Sequence, residues 1–275
     1  KRYSYDKNYL SGIETVKKLV EEFDKISEEV CTVGVGIPGF SSKETGIITN
    51  ANSIWLNDKP FKKDLELALN REVRLMNDAN CFTLSESVDG AGKDFKSIFG
   101  IIIGTGFGGG LSYNKSIIEG SNQIAGDWGH QPLPYPTKEE QETKISCPSS
   151  NCGRPLCAEQ FMSGIGFKDR FNEKYDTNLT SEEIVKLDLG NDPRANQELT
   201  LYEDRMARLM AVMIGIFDPD AIILGGGMSN IDRFYKNIPS LIPKYTFSNK
   251  LETKVLKNLH GDSSGVRGAA WLWDN

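Results

Sequence analysis

Apolar residues along this chain switch repeatedly between helical and strand spacing, and the order of the switches predicts an α/β protein. Leu10, Ile13, Val16, Leu19 and Phe23 recur at helical spacing and end in an acidic, polar stretch, after which residues 31–36 read as a strand. Leu65 and Leu69 mark a short helix that feeds a strand over 73–76, and 79–88 reads as the next helix. The run 95–103 is continuously apolar enough for a buried strand. Residues 109–112 and 116–118 read as a hairpin around Tyr113-Asn114-Lys115. The longest helix starts at Asp192-Pro193, a capping residue followed by proline at the first helical position, and continues through Leu199, Met206, Met210, Met213, Ile214 and Phe217. Its methionines are expected in the core. The helix stops at Asp218-Pro219, and 221–224 is a buried strand opening into Gly225-Gly226-Gly227.

Two short blocks give this skeleton a chemistry. Asn77-Asp78-Ala79-Asn80 offers a carboxylate in a sharp turn, and Gly104-Thr105-Gly106-Phe107-Gly108-Gly109-Gly110 offers bare backbone N–H groups at the C-terminal end of a strand, where α/β sheets place their ligands. Gly-Thr-Gly lets the backbone approach phosphate oxygens with no Cβ in the way, and Thr105 adds a hydroxyl donor. A carboxylate beside a phosphate loop suggests phosphoryl transfer, with Asp78 as general base. The glycines at 225–227, closing a second strand, are consistent with a nucleotide held by two loops. Structural readings stand beside these: the Asn-Asp-Ala-Asn turn as a helix cap, and the glycines as a β-hairpin.

Composition narrows the field. The chain has 275 residues, which allows one large domain or two lobes. Hydrophobic residues make up 39%, mean hydropathy is −0.38, and no apolar run approaches the ~18 residues of a membrane helix. A net charge of −6 argues against nucleic acid as the main partner.

The cysteines add a second constellation. Only two histidines are present, and one, His130, is followed by Cys147, Cys152 and Cys157, with four residues between successive cysteines. One imidazole and three thiolates make a complete tetrahedral zinc set with no open position, which is the pattern of a structural site. The stretch 132–146 is polar, with little to bury, so a metal clip is a way to order it. The alternatives are a disulfide among the three cysteines or unpaired thiols, and no export signal favours a disulfide. Cys31 and Cys81 are expected in the core.

Taken together, several segments carry a resemblance: Gly34-Val35-Gly36-Ile37-Pro38-Gly39, Asn50-Ala51-Asn52-Ser53-Ile54-Trp55-Leu56-Asn57, the Asn77 and Gly104 blocks, Gly126-Asp127-Trp128-Gly129-His130, Cys157-Ala158-Glu159, Asp218-Pro219-Asp220, and the run from His260 through Gly268-Ala269-Ala270. In these the chain resembles the ROK family of sugar kinases and repressors, and within it the bacterial fructokinase and mannokinase group. The Asn52 to Asn57 and His260 to Gly265 segments incline the resemblance towards fructose. It implies an actin-like ATPase fold (ribonuclease H-like): two α/β lobes, with 1–93 plus 262–275 forming the smaller and 94–261 the larger, zinc-bearing one. It also implies a hexose acceptor, MgATP, a structural zinc, a cytoplasmic homodimer, and no nucleic acid or membrane. The alternatives it leaves are mannose, glucose or N-acetylglucosamine as acceptor, or a non-catalytic sugar-binding or regulatory protein.

Carried over residue by residue, the family's general base falls on Asp78. Its sugar contacts fall on Asn52, Asn77, Asp78, Asp127, His130 and Glu159, its phosphate contacts on Gly104, Thr105 and Gly106, and its adenosine-side loop on Gly225, Gly226 and Gly227. His130, Cys147, Cys152 and Cys157 would hold the metal, so that His130 and Cys157 fix the turns presenting Asp127 and Glu159 to the sugar. Two positions depart from the family pattern. Asp127 stands where the family usually carries Glu, and 148–151 form a longer loop than usual before Cys152.

The family also begins with a strand and an Asp-x-Gly-Gly-Thr-Lys phosphate loop, and neither precedes the first helix in this chain. A polypeptide beginning at Lys1 is therefore expected to show no measurable sugar phosphorylation, whereas one carrying such a segment ahead of Lys1 phosphorylates. A coupled kinase assay on both checks this, and robust turnover by the shorter one would mean the phosphate site is misplaced.

Overall fold

The computed structural model describes residues 3, 6–148, 152–248 and 250–274. In chain order its elements are α1 (Tyr9–Ser27), β1 (Val33–Ile37), β2 (Phe40–Ser41), β3 (Ile48–Thr49), α2 (Phe61–Leu69), β4 (Val73–Asn77), α3 (Asp78–Val88), β5 (Ser97–Ile103), β6 (Phe107–Tyr113), β7 (Ser116–Ile117), α4 (Lys138–Gln141), α5 (Ala158–Met162), α6 (Gly164–Tyr175), α7 (Ser181–Leu189), α8 (Pro193–Phe217), β8 (Ala221–Gly225), α9 (Arg233–Leu241), β9 (Lys254–Lys257) and α10 (Ser264–Ala270). Among the described residues no helix is long and apolar enough to cross a membrane.

Among the described residues two large hydrophobic clusters organise them, with a smaller third of Phe82, Ile98 and Ile223 at α3. In the first, β1 and β4 pair in parallel with Ile37 opposite Asn77, and Val33, Ile48, Phe61, Leu65 and Val73 are buried with them. In the second, a five-stranded sheet runs in the order β7-β6-β5-β8-β9. Its strand β5 is antiparallel to β6 and parallel to β8. Phe99, Ile101, Phe161, Tyr202, Met206, Met210 and Leu224 fill the core beneath it, so the methionines of α8 lie where the helical spacing put them. Asp192 caps α8 by accepting from the Arg194 and Ala195 amides, and the helix ends at Asp218 in the left-handed region.

Helix α3 lies between the two. Residues 79–87 are all buried, because the large sheet packs on one side and α10 on another. The approach is close: a Cβ added at Gly268 would stand 1.6 Å from the Cys81 carbonyl oxygen, and one at Gly100 2.2 Å from Thr83 Oγ1. Near the C-terminal end of α3 the buried Glu86 carboxylate accepts from the Ala91 amide (2.9 Å), the Leu259 amide (3.0 Å) and the Ser264 hydroxyl (2.7 Å). Three donors satisfy it without a cation. They tie the end of the chain to the helix that begins at Asp78.

Three expectations change. The core-facing stripe of α1 is the half-buried Tyr9, Ile13, Val16 and Val20, whereas Leu10 and Phe23 face solvent. Cys81 is buried as expected, but Cys31 is only half-buried, and its backbone is held by Asp24 and Arg71 at the surface end of α1. The polar stretch 132–146 has its own anchors besides any metal. Leu133 is buried, and Thr137 and Glu140 form a capping box at α4. Glu140 then meets two arginines of α8: Arg205 Nε donates to Oε1 at 2.7 Å, and Arg208 donates to Oε1 at 2.8 Å and to Oε2 at 3.0 Å. Arg208 also donates to the carbonyls of Pro134 and Tyr135.

Burial alone would raise the Glu140 carboxyl, but Arg208, the Thr137 amide and Arg205 outweigh it and hold it down at about 2. A carboxyl depressed by folding stabilises the fold above its ordinary pKa, and that contribution is lost as pH falls towards 2. Glu140→Gln leaves two guanidinium groups buried against a neutral amide, so it is expected to cost about 3–5 kcal/mol at neutral pH. Denaturant unfolding of the variant measures this, and the deficit should shrink between pH 5 and pH 3.

Candidate functional site

The ends of β4 and β1 set the carboxylate side of the site. Asn77 closes β4 and caps α3: its Oδ1 accepts from the Ala79 amide (2.9 Å) and the Asn80 amide (3.3 Å), and its Nδ2 donates to the Gly39 carbonyl (3.1 Å). Capping therefore falls to Asn77 and leaves Asp78 free for other work. Asn77 itself keeps one N–H for a ligand. Asp78, the first helical residue, opens onto solvent, while protein crowds its carboxyl on the remaining sides. That burial raises its pKa, and the Ala79 amide 2.8 Å from Oδ1 opposes the shift only in part. A carboxyl raised in this way is suited to accept a proton near neutral pH.

The glycine block is a hairpin loop, as its structural reading had it, and it has the properties of an anion site as well. β5 and β6 are joined by Gly104, Thr105 and Gly106, with Ile103 opposite Phe107. Gly104 N donates to the Gly106 carbonyl at 3.0 Å, and its own carbonyl accepts from Gly164 N at the start of α6 at 2.8 Å. The loop is thus held from below. Among the described residues the backbone N–H groups of Thr105 and Gly106 have no acceptor, and Thr105 is exposed. Gly104 differs from its neighbours, because its N–H is already engaged. Beside this loop, Gly226 has φ +81, and a Cβ there would stand 2.5 Å from the Ile103 carbonyl oxygen, so only glycine closes β8 at this distance. Gly225 is packed against the Phe82 ring, and Gly227 is exposed with open space around it.

Glu159 links this loop to the remaining candidates. It is 4% exposed, in the first turn of α5, and its Oε2 accepts from the Phe107 amide at 3.1 Å. A Cβ added at Gly106 would lie 3.1 Å from that oxygen and 3.9 Å from Asn52 Nδ2, so Asn52, Gly106 and Glu159 meet at one point. The Glu159 amide donates to the Gly129 carbonyl, which brings in the turn carrying Asp127 and His130. Burial raises the Asp127 carboxyl, the Glu159 charge adds to the shift, and His130 and Arg154 oppose it.

The four metal candidates also converge. The ligand atoms of His130, Cys147, Cys152 and Cys157 lie within 4.8 Å of one another. Cys157 Sγ is 3.4 Å from Cys147 Sγ, 3.5 Å from Cys152 Sγ and 3.5 Å from His130 Nδ1. Sulfur and nitrogen donors around a tetrahedral zinc stand roughly 3.6–3.8 Å apart, so the set fits that ion. All five cysteines are free, and a disulfide would need about 2.05 Å. Of the longer loop before Cys152, residues 149–151 lie outside the described ones. Cys147 belongs to the cluster and also stands 3.6 Å from Glu159 Oε1.

The ROK family profile matches residues 3–275. The chain belongs to the ROK family. It is 36% identical over 265 residues to N-acetyl-D-glucosamine kinase of Vibrio cholerae, covering 96% of this chain and 88% of that protein. It is 35% identical over 270 residues to N-acetyl-D-glucosamine kinase of Haemophilus influenzae, covering 97% and 88%. Relatives at this identity across nearly the whole chain place it among the sugar kinases of the ROK family. Its fold is that of a ROK hexokinase from Thermus thermophilus, with TM-score 0.84 at 22% identity over 99% of this chain and 91% of the other. A ROK glucokinase from Streptomyces griseus, solved with glucose and AMPPNP, gives TM-score 0.80 at 22% identity over 98% and 89%. The architecture is therefore the two-lobed, actin-like one of ROK kinases.

Within that frame the structure adds residues that sequence reading missed. Arg154 donates to the His130 carbonyl at 3.3 Å and is one of two groups opposing the Asp127 shift. Asp220, from the Asp-Pro-Asp segment, accepts from the Lys96 and Ser97 amides and the Ser97 hydroxyl, and so aligns the starts of β5 and β8. No local signal announces Arg154, and the Asp-Pro-Asp segment marks Asp220 but not its partners. The capping-box spacing of Thr137 and Glu140 was available as a helix-start signal, although its arginine partners were not.

Burial pushes the Cys157 thiol up, so the thiolate needed for ligation forms with a cation beside it. The purified protein is expected to carry a single zinc, and Cys152→Ser or Cys157→Ser to lose it with stability. Because Glu140 and α8 hold 133–142 independently, the loosening should be confined to 143–157. Elemental analysis and hydrogen exchange together check both statements, and protein without zinc and never exposed to chelator would refute the first.

Proposed function

We propose that this sugar kinase transfers the γ-phosphoryl group of ATP to a hydroxyl of N-acetyl-D-glucosamine, with Asp78 as general base. The observation that supports it most directly is the position of Glu159. One of its carboxylate oxygens accepts from Phe107 N at the end of the glycine loop, and the same side chain neighbours Asn52 and Asp127. A sugar held by those groups would have its reacting hydroxyl beside the phosphates, as in-line transfer requires.

In this reading Asn52, Asn77, Asp127, His130 and Glu159 bind the acceptor hydroxyls. The N–H groups of Thr105 and Gly106, with Gly104 shaping the turn, receive the phosphates, and Gly225, Gly226 and Gly227 flank the adenosine. Magnesium bound with the triphosphate would supply charge neutralisation there. The acceptor oxygen forms its bond to the γ-phosphorus as the bond from that phosphorus to the β,γ-bridging oxygen breaks. The hydroxyl proton passes to Asp78, and ADP leaves. The zinc of the His130 cluster, the division into lobes 1–93 with 262–275 and 94–261, homodimer assembly and a cytoplasmic location belong to the same proposal, on the strength of the family resemblance.

The acceptor follows the named relatives rather than the fructose inclination of the sequence. Of the Asn52 to Asn57 segment, Asn57 bonds the backbone of Ala51 through both Oδ1 and Nδ2, Trp55 packs on Phe61, and Ile54 faces solvent. Of the His260 to Gly265 segment, Ser264 binds Glu86 and His260 meets Asp89 at 3.1 Å. Only Asn52 among them lies beside Gly106. Such residues report on shared architecture, whereas the acceptor is chosen by groups that pair its hydroxyls and its substituent at C2.

Coupled assays of the active protein on N-acetylglucosamine, glucose, mannose and fructose are expected to give the highest kcat/KM for the first. Fructose at the head of that ranking would overturn the acceptor assignment. Asp78→Asn should lower kcat by about 10²–10⁴-fold with far less effect on sugar affinity. Since the Asp78 carboxyl is raised and must be ionised to act, activity of the native enzyme should fall on acidification at a pH above the ordinary carboxylate range. Near-normal turnover by the variant would reduce Asp78 to a helix-end residue.

A further inference from the structure

Next to the thiol cluster, residues of 141–147 and 153–156 line a cavity of about 460 Å³, and Gln160 of α5 completes it. None of the candidate acceptor residues lines it, so it is separate from the sugar site. Its polar lining is one-sided. Lys144 and Arg154 bring two positive charges, and Gln141, Thr143, Ser146 and Gln160 bring amide and hydroxyl groups. No carboxylate lines it among the described residues. The backbone N–H groups of Lys144 and Ser146 have no acceptor among the described residues. Behind Thr143, whose Oγ1 accepts from Arg170 Nη1 at 3.0 Å, the buried Arg170 Nε is also without a partner. The cavity therefore presents cationic side chains and backbone donors without a carboxylate among its described lining, although Arg154 also faces Asp127.

A volume of this size suits a six-carbon polyol and its phosphate. We propose that this pocket binds a hexose 6-phosphate, the product class of the reaction proposed above, at a regulatory site distinct from the acceptor pocket. The phosphate would lie against Lys144, Arg154 and the Lys144 and Ser146 amides, and the polyol against Gln141, Thr143 and Gln160. The assignment of the ligand as product rests on the kinase reading, whereas the existence of the anion pocket does not. Two of its walls reach the acceptor site. Cys147 Sγ is 3.6 Å from Glu159 Oε1, and Gln160, which follows Glu159 in α5, donates to the Ile145 carbonyl. Occupancy that shifts 144–147 is therefore felt at Glu159, and product lowers turnover without competing directly with sugar.

The test is calorimetric titration of N-acetylglucosamine 6-phosphate and of glucose 6-phosphate into the full-length protein, with its acceptor and nucleotide sites filled by saturating sugar and a non-hydrolysable ATP analogue. Binding is expected to persist under those conditions. Lys144→Glu, which changes an exposed side chain, should weaken it at least about tenfold, as should Arg154→Gln. Initial rates of Lys144→Glu without product should match the native enzyme, and its product inhibition should lose the component that added sugar does not relieve. Binding that disappears once the active site is filled, or that survives both substitutions, would overturn the site. Inorganic phosphate binding as tightly as the esters would overturn the sugar-phosphate assignment. Failure of the kinase reading itself appears separately, in the acceptor assays.

Discussion

Everything at the candidate active site hangs on the burial of α3. Its first turn carries Asp78 and its cap is Asn77, and the whole run 79–87 is enclosed. A helix buried all round does not show the one-sided amphipathic pattern of a surface helix. It is held instead by close backbone approach, with Gly100 on one side and Gly268 on the other, and by Glu86, which collects three donors from Ala91, Leu259 and Ser264. Adding a methyl group at Gly268 would drive α10 from α3. Since both cores touch α3, the direction in which Asp78 points is set by contacts far from it in sequence. A base that must meet a hydroxyl within hydrogen-bond distance needs that degree of positioning.

Glu159, beside the glycine loop, is positioned by two devices of different kinds. One is the thiol and imidazole cluster, which fixes the start of α5 at Cys157. The other is the buried Glu140 with Arg205 and Arg208, which moors the preceding segment to α8. A buried ion pair is weak evidence of net stability, but it is demanding in geometry, because either partner left alone is costly. The segment is thereby confined to one arrangement before the cysteine cluster begins, and a metal held there would have less to order.

Much of the fold was legible because helix and strand periods are local. The elements from α2 to β5 and the long α8 follow from the spacing of apolar residues and from caps at Asn77 and Asp192. The cysteine cluster was legible for a related reason: three thiols and one imidazole in a short stretch have few other uses. What could not be read is long-range. Glu140 and Arg205 are 65 residues apart, Asp220 and Ser97 are 123 apart, and Glu86 and Ser264 are 178 apart. On α1 the spacing identified the helix but not its rotation, since Leu10 and Tyr9 are both apolar enough to face inward and only the position of Phe61 and Trp55 decides between them. The fructose inclination stands unconfirmed, since the relatives named above are N-acetyl-D-glucosamine kinases. It drew on segments such as 260–265, where Ser264 binds Glu86 of α3 and His260 meets Asp89.

The electrostatics of the cleft explain why ligand and fold should be coupled. Asp78 and Asp127 both have pKa values raised by burial, and Asp127 is raised further by Glu159. A carboxyl whose pKa rises on folding contributes its stability when protonated, and that contribution is lost as pH climbs through the ordinary carboxylate range towards the raised value. Ionising either group works against its burial, and at Asp127 His130 and Arg154 oppose that penalty. Sugar hydroxyls are hydrogen-bond donors, and a carboxylate that accepts from them recovers part of what it lost on leaving water. Under the proposed function, the burial that raises Asp78 and Asp127 would also make acceptor binding stabilising, with the gain largest where both carboxylates are charged.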